Sequence, residues 1–171
     1  MKYLIISDIH GNVNSIRKIA EIYSKGDFDG MIILGDILYH GPRNPVTNGY
    51  NPKEVAEILN EFKDEITAVR GNCEAEVDQA MLKFPCMSDY AIINDNGRTI
   101  FATHGHIWNP EKLPNLPNNS YFLYGHTHLY KLENTDNITI CNPGSITLPK
   151  ENRKPTFAVY NNGEIEITEL I

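Results

Sequence analysis

The sequence predicts an α/β fold that turns β-rich in its second half, with two sheets packed face to face and helices outside. Three observations predict it. Short, continuous apolar runs alternate with helix-period segments as far as Pro85. Beyond Pro85 the runs are strand-length only, separated by turn signals such as Asp95-Asn96-Gly97 and Asn161-Asn162-Gly163. A length of 171 residues suits one domain, so residues 1–171 are expected to fold as a unit.

The elements follow in order. Residues 3–7 are apolar without interruption, as in a strand buried on both faces. Asn12 can cap the segment that follows it. There Val13, Ile16, Ile19, Ala20 and Ile22 recur at helical spacing over 13–25, and Gly26 marks the end. Residues 31–34 form a second buried strand, which makes a β-α-β unit with a right-handed crossover. Residues 38–52 are a long loop rich in Gly, Pro and Asn, a type that is usually functional inside a compact domain. A helix over 53–63, a strand over 65–70 and a helix over 74–83 come next. Strands are then predicted over 90–94, 99–103, 121–124, 131–133, 138–141, 156–160 and 164–169.

Composition narrows the function classes. A net charge of -7 argues against long nucleic acids, which need basic patches to neutralise phosphates. It does not exclude a phosphate-bearing substrate, because acidic residues gathered in one cleft would hold cations that attract it. Cys73, Cys86 and Cys141 have no CxxC spacing, so reduced thiols in a cytoplasm are expected. No apolar stretch approaches the ~20 residues of a membrane helix. Apolar loops such as 107–117 could form an interface between copies, as a dimer or tetramer.

The chemistry sits in five short segments, each just beyond a predicted strand: Asp8-Ile9-His10, Gly35-Asp36, Gly71-Asn72-Cys73-Glu74, His104-Gly105-His106 and Gly125-His126-Thr127-His128. In open α/β sheets, ligands gather outside the carboxyl ends of the strands. If Asp8 and His10 lie in an extended segment, being two apart turns them the same way. Five of the six histidines fall in these segments, the sixth being His40. Histidine is the commonest transition-metal ligand.

The donors Asp8, His10, Asp36, Asn72, His104, His126 and His128 are too many for one four-coordinate ion, with His106 an alternative to His104. They suit two cations sharing a carboxylate. Mixed carboxylate and imidazole ligands suit Mn, Fe, Zn or Ni better than Mg or Ca. In that arrangement a hydroxide bridging the two metals would attack phosphorus in line with the leaving group. Around this set, Arg43 could grip a phosphate in forked geometry, and Glu74 could orient Asn72 or His10.

Taken together, the order D-x-H, G-D, G-N-x-[DE], H-G-H and G-H-x-H resembles that of the calcineurin-like metallophosphoesterases. The chain is similar in particular to the small bacterial YfcE-type phosphodiesterases. The matching stretches are Ser7–Gly11, Leu34–Asn44, Val69–Glu74, Thr103–His106, Tyr124–His128 and Asn142–Ser145. The resemblance implies a four-layer αββα sandwich of two mixed sheets. It implies that Asp8, His10, Asp36 and His128 hold a first metal, and that Asp36 bridges to a second completed by Asn72, His104 and His126. It favours His104 over His106.

Many family members carry His after the G-N asparagine as a leaving-group acid, and this chain has Cys73. A thiol could donate a proton or contact the substrate there, but it is a shorter, weaker partner for phosphate, so the departure tilts the expectation from monoesters to diesters. The expected function is therefore a metal-dependent phosphodiesterase acting on small diesters, with two divalent ions, manganese first. The alternatives are a nucleotide or cyclic-nucleotide hydrolase of the same chemistry, or a metal-binding scaffold like the retromer subunit of this fold.

Overall fold

The computed structural model describes residues 1–171 except Asp136. Ten strands and three helices run in the order β1 (Lys2–Ile6), α1 (Val13–Lys25), β2 (Gly30–Ile33), α2 (Pro52–Asn60), β3 (Ile66–Ala68), α3 (Glu76–Met81), β4 (Tyr90–Asp95), β5 (Arg98–Thr103), β6 (Ser120–Leu123), β7 (Lys131–Asn134), β8 (Ile138–Asn142), β9 (Thr156–Asn161) and β10 (Glu164–Glu169). They build two mixed sheets, ordered β10-β9-β1-β2-β3 and β4-β5-β6-β8-β7.

In the first sheet β1, β2 and β3 are parallel, and in the second β5, β6 and β8 are parallel. Antiparallel strands flank each parallel core. This topology matters for the site, because it puts the carboxyl ends of six parallel strands on one side of the sandwich.

Alternation along each strand decides which layer it builds. Leu4 and Ile6 face α1 and α2, where Ile16, Ile19, Val55 and Leu59 meet them. Ile5, Ile32, Leu34 and Val69 face the other way and meet Ile100, Ala102, Leu123 and Cys141 of the second sheet. Tyr160 on β9 crosses this inner layer to donate its hydroxyl to Asp95 on β4 at 2.8 Å. All three helices of the described residues flank the first sheet. The outer face of the second sheet carries Phe101, Phe122 and Ile140, and Trp108 and Leu116 of the 107–117 loop cover them.

The boundaries differ from the sequence prediction where side chains are engaged elsewhere. Asn12 caps α1 by accepting from Ser15 N at 3.0 Å, as its position suggested. Gly26 closes the helix in an extended conformation, φ -87, rather than a left-handed one, because Phe28 folds back over it. The helix predicted over 53–63 stops at Asn60, since Glu61 and Phe62 turn tightly onto Ile58 and Leu59. The helix predicted from residue 74 starts at Glu76, because Glu74 is held by the loop after β2 and Asp78 caps Ala75 N instead.

Candidate metal centre

All seven predicted donors meet at the carboxyl ends of the parallel strands. Asp8 and His10 follow β1, Asp36 follows β2, and Asn72 lies beyond β3. His104 follows β5, and His126 and His128 follow β6. Five of the seven (Asp8, His10, Asp36, His126 and His128) have positive φ, between 48 and 67. The extended arrangement expected for Asp8 and His10 is therefore absent. They converge because two left-handed residues tighten the chain, which is then pinned to the β2 loop. Asp8 N donates to Gly35 O at 3.1 Å, His10 N to Asp36 O at 2.9 Å and Gly11 N to Ile37 O at 2.8 Å. Left-handed backbone at non-glycine residues is costly and clusters at functional sites.

Around Asp8, Oδ1 lies 3.2 Å from His128 Nε2 and 3.7 Å from His10 Nε2. The two imidazoles face each other, Nε2 to Nε2, at 3.3 Å. Asp36 Oδ2 stands 3.7 Å from His10 Nε2 and 3.5 Å from His104 Nε2, so one carboxylate touches both groups. His104 Nε2 is 3.1 Å from Asn72 Oδ1 and 3.3 Å from His126 Nδ1.

Backbone carbonyls fix which nitrogen each ring offers. His10 Nδ1 meets Tyr39 O at 2.9 Å, His104 Nδ1 meets Leu34 O at 2.7 Å, and His128 Nδ1 meets Leu148 O at 2.6 Å. A carbonyl only accepts, so each Nδ1 must carry the hydrogen and each neutral Nε2 presents a lone pair. His10 and His128 thus point lone pair at lone pair. Asp8 Oδ1, fully buried, receives no hydrogen bond while His128 Nε2, 3.2 Å away, is unprotonated. Converging lone pairs with nothing between them are repulsive, and a cation resolves both defects. The donor set fits metal ions.

The charges agree. Burial works to raise the Asp8 carboxyl, but the hydrogen bond and charge of His128 and the charge of His104 hold it well below its ordinary value. Burial likewise opposes ionisation of Asp36, and His104 overrides it. Burial lowers His10 and His126, which favours the neutral, ligating form. His128 goes the other way, its charge disfavoured by burial but held up by the hydrogen bond and charge of Asp8, and so does His104. Burial disfavours its charge, yet the Asp36 and Asp8 carboxylates hold it up at about 9.

A supporting shell holds these groups. Ser7 donates to Asp8 Oδ2 at 2.7 Å, leaving Oδ1 free, and Ser145 Oγ donates to Asp8 O at 2.7 Å. Asn142 Nδ2 ties Gly125 O at 2.8 Å to Thr127 Oγ1 at 3.0 Å, which sets the His126–His128 turn. Glu74 does not touch Asn72 or His10. Its carboxylate accepts from the amides of Asp36 (3.0 Å), Ile37 (2.7 Å) and Gly71, and so fixes the loop that carries Asp36. Gly71 has no room for a side chain, because a Cβ would run into the Asp36 carboxylate and amide.

Cys73 sits beside the centre, its amide donating to Asp36 Oδ1 at 2.9 Å. Its sulfur, a His10 nitrogen and an Asp36 oxygen all lie within 4.8 Å of one another. Burial, with the Asp36 charge beside it, pushes the thiol well above its ordinary value. His106 belongs to none of the tight clusters formed by Asp8, His10, Asp36, Cys73, His104 and His128. Its ring centroid is 5.3 Å from that of His104, and its Nδ1 is buried without a partner.

The centre opens into a cleft of about 680 Å³ lined by Tyr39, Arg43, Asn44, Cys73, Leu129 and Lys150 among others. Arg43 and Lys150 are exposed. Sequence reasoning missed Lys150, which belongs to no motif. It missed Ser145 and Asn142 as well, although both stand in the Asn-Pro-Gly-Ser stretch that pointed there.

A family model described as the calcineurin-like phosphoesterase superfamily domain matches residues 1–164. Phosphodiesterase YfcE of Escherichia coli strain K12 is 39% identical over 170 residues, 99% of this chain and 92% of that one. The probable metallophosphoesterase YsnB of Bacillus subtilis is 28% identical over 166 residues, 93% of this chain and 83% of that one. The solved structure of Yfce, a phosphoesterase from E. coli, superposes with a TM-score of 0.93 at 36% identity and full coverage of both chains. On the matched domain, the shared sandwich and the identity across nearly its whole length, this chain belongs to the calcineurin-like phosphoesterase superfamily.

Proposed function

We propose that this chain hydrolyses small phosphodiesters at a centre of two divalent cations, manganese foremost, with Asp36 shared between them. The observation that carries the reading is that Asp36 Oδ2 stands between two imidazoles, 3.7 Å from His10 Nε2 and 3.5 Å from His104 Nε2. Asp8, His10 and His128 would hold one ion with it, and Asn72, His104 and His126 the other. The kinship with the E. coli phosphodiesterase points to the same reaction class.

Such ions supply activation of water and neutralisation of charge on the phosphoryl oxygens. The chain's own residues do the rest. The carbonyls of Tyr39, Leu34 and Leu148 keep the rings aimed, and Glu74 keeps the Asp36 loop in place. Arg43 and Lys150, on the cleft wall, offer cations to the non-bridging phosphate oxygens.

Cys73 favours diesters. A thiol held above its usual range gives up a proton reluctantly, so leaving groups that need an acid are served poorly. The single-domain unit is residues 1–171. The three free cysteines suit a cytoplasmic setting. Among the described residues, no helix is long and apolar enough to cross a membrane.

The test is a metal-by-substrate screen. Metal-free protein is loaded with Mn, Zn, Ni, Fe or Mg and given bis(p-nitrophenyl) phosphate, p-nitrophenyl phosphate or a cyclic nucleotide. Manganese-supported turnover of the diester above the monoester is expected, with Asp36→Ala lowering it by roughly three orders of magnitude. Absence of turnover with every metal, or full activity in Asp36→Ala, would overturn the reading.

A further inference from the structure

Beside the metal cleft runs a second depression of different character. It measures about 430 Å³, and its walls include Leu38, Tyr39, Tyr50, Cys73, Val77 and Met81. Tyr39 and Cys73 line both spaces, so the two adjoin. Cys73 is the partition. Its sulfur lies against His10 and Asp36 on one side and faces the groove on the other.

The one acidic residue on the groove wall is turned away from it in function. Asp78 is buried, and its carboxylate accepts from Ala75 N at 2.7 Å. Val77 is 64% exposed and Tyr39 42% exposed, apolar surface left uncovered next to a charged centre. The metal cleft, by contrast, carries the charged and polar side chains Arg43, Asn44 and Lys150 on its wall. A phosphodiester has two arms. A wall with charged groups and an apolar wall, meeting at Cys73 and Tyr39, would sort them.

We propose that this groove is a subsite for an apolar, ring-bearing arm of the diester. It rests on the phosphodiesterase reading above, and it narrows the substrate class to diesters with one aromatic or similarly flat apolar ester group. The arm would lie over Val77 and Met81 and against the Tyr39 ring, passing Cys73 on its way from phosphorus. A histidine in place of Cys73 would put a bulky polar ring at this doorway, whereas a thiol is smaller and apolar.

Binding separates this proposal from the reading it rests on. The affinities of manganese-loaded protein for diphenyl phosphate and dimethyl phosphate are measured by calorimetry, beside turnover of bis(p-nitrophenyl) phosphate. Wild type is expected to prefer the diphenyl ester by about tenfold, the worth of burying part of one ring. Val77→Glu, on an exposed position of α3, is expected to bring the ratio of the two affinities toward one. Val77→Leu is expected to retain the ratio. Turnover of the nitrophenyl diester with equal affinities for the two probes would overturn the groove alone. So would a preference that survives Val77→Glu. Neither turnover nor binding of either probe would overturn both readings.

Discussion

His10 and His128 are each told which nitrogen to offer by a backbone carbonyl, and the result is two lone pairs 3.3 Å apart. The carboxylates of Asp8 and Asp36 beside them have a measurable consequence at His104. Its pKa of about 9 stands above the ~6.5 of an unperturbed imidazole, so the metal-free site carries a proton there at neutral pH. A cation must displace that proton. Metal affinity therefore rises with pH up to about 9 and levels off beyond it. Manganese titrations at pH 7.5 in two buffers of different ionisation enthalpy should show about one proton released from this group. Buffer-independent heats would mean that His104 is already neutral and the charge account is wrong.

At the scale of elements, the site depends on loops packed too closely for side chains. Gly125, between β6 and His126, has no left-handed φ, so its constraint is contact rather than conformation. A Cβ there would collide with the Ser7 hydroxyl and come 2.9 Å from Asp8 Oδ2. Gly125→Ala should break the Ser7–Asp8 bond and the bond from His126 N to Asp8 at 3.0 Å. The expected cost is about 1–3 kcal/mol in urea unfolding of the metal-free protein, together with weaker metal binding. Unchanged stability and unchanged affinity would show that the packing against Ser7 can relax.

The elements themselves were largely legible in the sequence. β1, α1 and β2 follow from unbroken apolar runs around a helical repeat, and the Asn-Gly turns place β4 against β5 and β9 against β10. What the sequence could not display was how chain ends are used. Glu74 looked like the first residue of a helix, and it serves the β2 loop instead. Asp8 and His10 looked like neighbours on an extended strand, yet both are left-handed. The carbonyls of Leu34, Tyr39 and Leu148 carry no residue-type signal, so the ring orientations they impose had no trace to read.

For the whole molecule, the parallel cores of two sheets are the device that makes the centre. Each sheet contributes strand ends from one side only: β1, β2 and β3 bring Asp8, His10, Asp36 and Asn72, and β5 and β6 bring His104, His126 and His128. Face-to-face packing of Ile5, Ile32 and Leu34 on Ile100 and Leu123 holds these ends together. In this way a chain of net charge -7 gathers the residues that would turn one cleft cationic.

The histidine spacing, legible from the start, gave the ligand types. The pairing across two sheets, with Asp36 between, was implied by the family resemblance, and the three-dimensional arrangement adds the geometry that supports it, Asp36 Oδ2 standing between His10 Nε2 and His104 Nε2. The central claim is that shared carboxylate. Diffraction from manganese-soaked crystals at the metal's absorption edge tests it directly. Two anomalous peaks about 3.5–4 Å apart, both in contact with Asp36, are the predicted result. A single peak, or a second peak that does not touch Asp36, would contradict it.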